Sequence, residues 1–154
     1  MKKHWEYLKY VLLHKWLVFQ ECRRLGITWR GIVHDMSKFS EEEWSSYVET
    51  FYGHKDKVKA NFAVAWLHHK HHNSHHWQFW IGDDNEPLQM PDADVLEMVA
   101  DWRAMAKARG KGWNAKPWYE RNKDKMNLHF LTRERVEAML SWEALNESSD
   151  SGSR

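Results

Sequence analysis

Residues 2–25 carry two apolar stripes at helical spacing. Trp5, Leu8, Leu12, Trp16 and Phe19 form one; Tyr7, Tyr10, Val11, Leu17, Val18 and Cys22 form the other. A helix apolar around so much of its circumference is expected to pack on two sides, near the centre of a bundle. His14 falls on the second stripe and should point inward. Gly26 is placed to end the helix in the left-handed conformation. Lys9, His14 and Lys15 interrupt the stretch, so it reads neither as a signal-peptide core nor as a membrane span.

Helical signals continue along the chain. Thr28 is placed to cap a short helix through Trp29 to His34. Ser40-Glu-Glu-Glu43 fits a capping box opening a helix to about Tyr52, with Gly53 after it. Residues 56–72 predict another helix, and residues 81–91, with Gly82, Asn85, Pro87 and Pro91, a loop. Asp92 should cap a helix over 93–109, with Val95, Met98, Val99, Trp102, Met105 and Ala106 as its core stripe. A shorter helix should begin near Pro117, and Thr132 should open the last one, to about Leu145. No useful strand alternation occurs, so the fold class is all-α: one compact bundle of six or seven helices over 1–146, with residues 147–154 too polar to order themselves. At 154 residues, one domain can bury roughly two-thirds of its unfolded surface.

The 23 basic and 22 acidic side chains nearly cancel, to a formal charge of +1. That balance leaves no overall field for gripping DNA or an anionic membrane, and no recognition-helix motif is evident. The single cysteine, Cys22, excludes an intrachain disulfide and a cysteine-built zinc site and fits a reducing cytoplasm.

Six of the eleven histidines lie between His68 and His76, and a His34-Asp35 pair lies upstream. Imidazole and carboxylate bind borderline divalent metals. His14, His34, Asp35, His68 or His69, His75 or His76, and Asp101 sit on different predicted helices, the arrangement by which bundles build internal metal sites. Asp101 lies between Met98 and Met105, where a buried charge needs a positive partner. His71 and His72 read as exposed.

This ordered set resembles the HD-domain superfamily of metal-dependent phosphohydrolases. The resemblance implies His14, His34, Asp35 and Asp101 as ligands of a first metal, with His68, His69, His75 and His76 matching the extra histidines of binuclear members. His34-Asp-Met-Ser-Lys38 also resembles the His-Asp-x-x-Lys form of the HD-GYP branch, which implies Lys38 beside a substrate phosphate. That branch's Gly-Tyr-Pro loop is absent, so cyclic dinucleotide hydrolysis is not expected. The pattern over residues 7–145 is still more similar to a small bacteriophage and bacterial family that carries no established activity.

The expected function is hydrolysis of a small phosphorylated metabolite, with a nucleotide favoured. Two ions among Fe, Mn, Zn, Co or Ni, bridged by Asp35, would supply a bound hydroxide, and Lys38 would stabilise phosphoryl charge. The segment 103–125, rich in Arg and Lys and holding Trp113, Trp118 and Tyr119, could cover the site mouth and stack on a base. Two other readings stay open: a binuclear-iron oxygenase of the inositol-oxygenase-like kind, and a non-catalytic metal-dependent module binding a nucleotide or a protein.

Overall fold

The computed structural model describes residues 2–53 and 59–150, with side chains over 2–53 and 61–141. The described residues form seven α-helices: α1 (Lys2–Arg24), α2 (Thr28–Val33), α3 (Glu41–Tyr52), α4 (Lys59–His72), α5 (Asp92–Ala108), α6 (Lys116–Asn122) and α7 (Phe130–Asp150). The only bridge among them is the isolated pair Ile81–Pro87. Short 3-10 turns at Met36–Phe39, Trp77–Trp80 and Lys123–Lys125 were not visible in the periodicity. The start expected for α4, residues 56–58, lies outside the described residues, as do 151–154 of the expected polar tail.

α1 packs against α2, α3 and α5, so it does lie near the centre of the bundle. Only its second stripe is buried, however: Tyr7, Val11, His14, Leu17, Val18, Glu21 and Cys22 face inward. Trp5, Leu12 and Trp16 of the other stripe are 59%, 52% and 56% exposed. That stripe is therefore covered only in part, at the half-buried Leu8 and Phe19, and not along its length as two-sided packing would require. The inner face serves two clusters. Tyr7 and Val11 join Tyr47, Val48 and Ala65 from α3 and α4. Leu17, Val18 and Cys22 meet Ala100 and Ala104 of α5. A third cluster, around Val95, Met98, Val99, Tyr119, Val136 and Leu140, joins α5, α6 and α7.

Several helix starts differ from expectation. Pro91, not Asp92, is the N-cap of α5. α2 has no side-chain cap, and Ser40 makes none for α3. Glu43 does not close a capping box, because its carboxylate is held by His68 and His69. α7 begins before Thr132 and runs past Leu145; the Thr132 hydroxyl instead accepts a hydrogen bond from the Met90 N–H.

One contact sets the path into the site. Gly31 lies against α1 so closely that an added Cβ would fall 2.8 Å from the Cys22 Cβ and 2.9 Å from the Phe19 Cα. Those are backbone-proximal atoms that cannot swing away. Replacing Gly31 by Ala should therefore displace α2 and cost about 1–3 kcal/mol. Urea unfolding of Gly31→Ala should show that loss.

Candidate metal centre

Asp35 follows α2 and adopts φ +53°, a left-handed conformation uncommon for a residue with a side chain. Such local strain persists where the surroundings over-determine it, and functional sites are where it concentrates. Here it turns the carboxylate inward. The Asp35 Oδ2 lies 3.3 Å from His34 Nε2 and 2.6 Å from Lys38 Nζ. Its Oδ1 lies 3.4 Å from both His69 Nε2 and His75 Nε2. Its two oxygens thus face different sets of imidazoles.

Two donor groups result. His14, His34 and Asp101 converge on one side of Asp35, and Asp35 itself gathers His69, His75 and His76 on the other. Within the first, His14 Nε2 is 2.9 Å and His34 Nε2 3.8 Å from Asp101 Oδ1. Five atoms of these donors are buried without a hydrogen-bond partner among the described residues: His14 Nδ1, His34 Nε2, Asp35 Oδ1, His75 Nε2 and His76 Nε2. Buried polar atoms are almost always satisfied. Orphans of ligand type in both donor groups are what cations would satisfy, so the donor set fits a metal.

Further carboxylates orient the imidazoles. Glu97 Oε1 is 2.8 Å from His34 Nδ1 and 3.2 Å from His75 Nδ1, while Arg30 Nε holds the other oxygen at 2.7 Å. Glu43 Oε2 binds His69 Nδ1 at 2.8 Å. A carboxylate on Nδ1 fixes the ring and leaves Nε2 for a metal. His34, His75 and Glu97 also form a third close group, which these hydrogen bonds explain.

Of the eight expected ligands, His14, His34, Asp35, His69, His75, His76 and Asp101 come together. His68 does not: its Nδ1 is 2.8 Å from Glu43 Oε1, and its ring stacks on His72, centroids 3.8 Å apart. His71 and His72 are exposed, as expected. Glu97 and Glu43 were missed. Glu97 precedes Asp101 by one helical turn, which was a readable signal; Glu43 was read as a capping residue. Also missed were the buried Tyr7 and Tyr47, whose hydroxyls have no hydrogen-bond partner among the described residues and which line a cavity over the same site.

That cavity, about 580 Å³, has His14, Asp35, Lys38, His69, His76 and Asp101 on its floor. Tyr10, Trp66, Trp102 and Trp118 stand in its walls, and the exposed Arg109, Lys111, Arg121 and Lys125 also line it. The segment 103–125 therefore reaches the cavity in part. Trp113 instead lies under Lys107, 5.8 Å away. Tyr119 is in the core, donating to Glu137 at 2.9 Å. Arg103 is buried against Glu21.

Charge in the site is strongly perturbed. Burial lowers the His14 and His76 pKa values, keeping both rings neutral as ligands must be. Burial would also lower that of His34, but Asp35, Glu97 and Asp101 raise it to about 9. Burial opposes ionisation of Asp35 as well; His34, Lys38 and His69 nevertheless hold it well below the usual carboxylate range. Asp101 is lowered in the same way, by His14 and His34 against the effect of burial.

The fold and these donors define a class: an all-helical protein with buried His/Asp/Glu clusters able to hold a metal ion. The chain belongs to a family of unknown function, DUF5662, whose profile matches residues 3–142. Neither the curated proteins nor the solved structures include a match to it.

A metal binding at His34 must displace the proton that the ring holds up to about pH 9. Apparent metal affinity should therefore rise with pH from 6 to 9, with proton release visible by calorimetry in buffers of different ionisation enthalpy. In metal analysis, His68→Ala should retain the wild-type content and His69→Ala should lose ion.

Proposed function

We propose that the chain is a metal-dependent phosphohydrolase acting on a small phosphorylated metabolite, with a nucleotide the best match to the cavity. The observation that carries this reading is one buried carboxylate, Asp35, grouped with His69, His75 and His76 and 3.3 Å from His34 of the neighbouring His14, His34 and Asp101 group, with the Lys38 ammonium 2.6 Å away. His14, His34, Asp101 and Asp35 would hold one ion, and Asp35, His69, His75 and His76 a second. Two divalent ions in such a site supply an acidified water and offset phosphoryl charge. Imidazole-rich sets suit first-row ions such as Fe, Mn, Co, Ni or Zn better than magnesium or calcium.

The protein's own groups do the rest. Burial would weaken the Lys38 charge, but Asp35 and Asp101 raise its pKa, so it stays cationic and can bind a phosphoryl oxygen. Burial likewise raises the Tyr7 and Tyr47 pKa values. Both phenols stay protonated and can donate hydrogen bonds to a ligand. Aromatic walls keep bulk water from the floor and offer faces to a base.

A second reading, a binuclear-iron oxygenase, is favoured by the three imidazoles gathered on the Asp35 side, a nitrogen-rich set that iron accepts. Two irons per chain, an oxygen-sensitive optical band and no phosphate release would select it.

Turnover of a nucleotide and phosphomonoester panel with Mn²⁺, Co²⁺, Fe²⁺ or Ni²⁺ tests the preferred reading. Metal-dependent phosphate release should vanish in the His34→Ala/Asp35→Ala variant. Lys38→Gln should lower kcat by about 10²–10³-fold, the usual effect of removing one donor to developing charge. No release above the double-variant control would overturn the reading.

A further inference from the structure

The buried floor accounts for only part of the cavity; its solvent-exposed lining is cationic. Arg109, Lys111, Arg121 and Lys125 belong to that lining, and none has an ion-pair partner among the described residues. Among the described residues, Asp35 and Asp101 are the only acids in the lining, and both are engaged at the floor. The chain carries only +1 overall, so this concentration does not reflect general basicity.

The four cations come from two directions on anchored backbone. Arg109 and Lys111 flank Gly110 (φ +73°) and precede Gly112 (φ +64°), in the turn that ends α5. Arg121 closes α6 and Lys125 the 3-10 turn after it. Asn122 fixes that region by donating to the Trp118 carbonyl at 2.8 Å. Trp102 and Trp118, ring centroids 5.1 Å apart, stand in the wall with Tyr10. Like charges around one opening repel each other until an anion joins them, and a cleft with low-dielectric walls concentrates anions. A single phosphate on the floor would leave these cations unused.

We propose that the mouth is a second anion subsite, and that the cavity takes a nucleoside phosphorylated at both ends, with its base against the aromatic wall. The orientation rests on the reading of the floor as the phosphohydrolase site. A free nucleoside bisphosphate and the phosphorylated end of a short oligonucleotide share this chemistry.

Binding to the metal-loaded full chain tests it by calorimetry, with methylene-phosphonate analogues that resist hydrolysis. The ligands are the adenosine 5′-monophosphonate, the 3′,5′-bisphosphonate and the corresponding dinucleotide. The bisphosphonate should bind at least about tenfold more tightly than the monophosphonate, the effect of one charge-assisted contact. Arg109→Gln/Arg121→Gln, and separately Lys111→Gln/Lys125→Gln, should each collapse that ratio to within about twofold. Lys123→Gln should preserve it, since Lys123 pairs with Glu120 and does not line the cavity. A dinucleotide tighter than the bisphosphonate supports an oligonucleotide end; a weaker one supports a free metabolite. Equal affinity for mono- and bisphosphonate in the wild type, or a ratio surviving both double variants, would overturn the subsite. Preference without phosphate release from natural esters would leave the subsite standing and remove the hydrolase reading, and hydrolysis without preference would do the reverse.

Discussion

A carboxylate taken out of water is costly unless positive charge and hydrogen-bond donors meet it. Asp35 is 2% exposed, and one of its oxygens has no hydrogen-bond partner. Lys38 balances part of its charge from one side. On the other, His69 and His75 present ring nitrogens at 3.4 Å, a separation that suits two ligands of one ion better than a direct hydrogen bond. The arrangement of α1, α2, α4 and α5 around this residue makes sense once the carboxylate is to be shared with cations.

The supporting carboxylates show how few elements hold the site. Glu97, on α5, reaches His34 at the end of α2 and His75 after α4. Arg30 of α2 grips the same carboxylate. Glu43, on α3, holds His69 of α4. The hydrogen bonds that orient the rings therefore also tie four helices together. The close approach at Gly31 brings α2 onto α1, and Asp35 leaves α2 buried among His34, Lys38, His69 and His75 rather than facing solvent. Packing and ligand placement are one problem in this fold, because α5 contributes Ala100 and Ala104 to the core from the same stretch that carries Glu97 and Asp101.

Much of this was legible in the residues. Helix periodicity, Gly26 and Gly110 located α1 and α5, and the inward phase of His14 followed from Val11 and Leu17–Val18. Asp101 was found because a charge between Met98 and Met105 needed a partner. The outer stripe of α1 misled, since apolar residues at helical spacing do not say whether a neighbour is long enough to cover them. His68 was not separable from His69 by type. Phase separates them: Ala65 and His69 are one turn apart and both buried, but the exposed Val64 and Leu67 blur that signal. Glu43 and Glu97 were hidden for another reason: a helix-borne acid reads as a cap or a solvated face until its partner across the bundle is seen.

Anomalous diffraction from crystals of protein purified without added metal addresses the central claim most directly. Peaks are predicted in the volume between Asp35, His14, His34 and Asp101, and in that between Asp35, His69, His75 and His76, with ligand distances of about 2.0–2.2 Å. A map without density at either position after metal loading, or with ions only on the half-buried His68 and the exposed His71 and His72, would contradict the account.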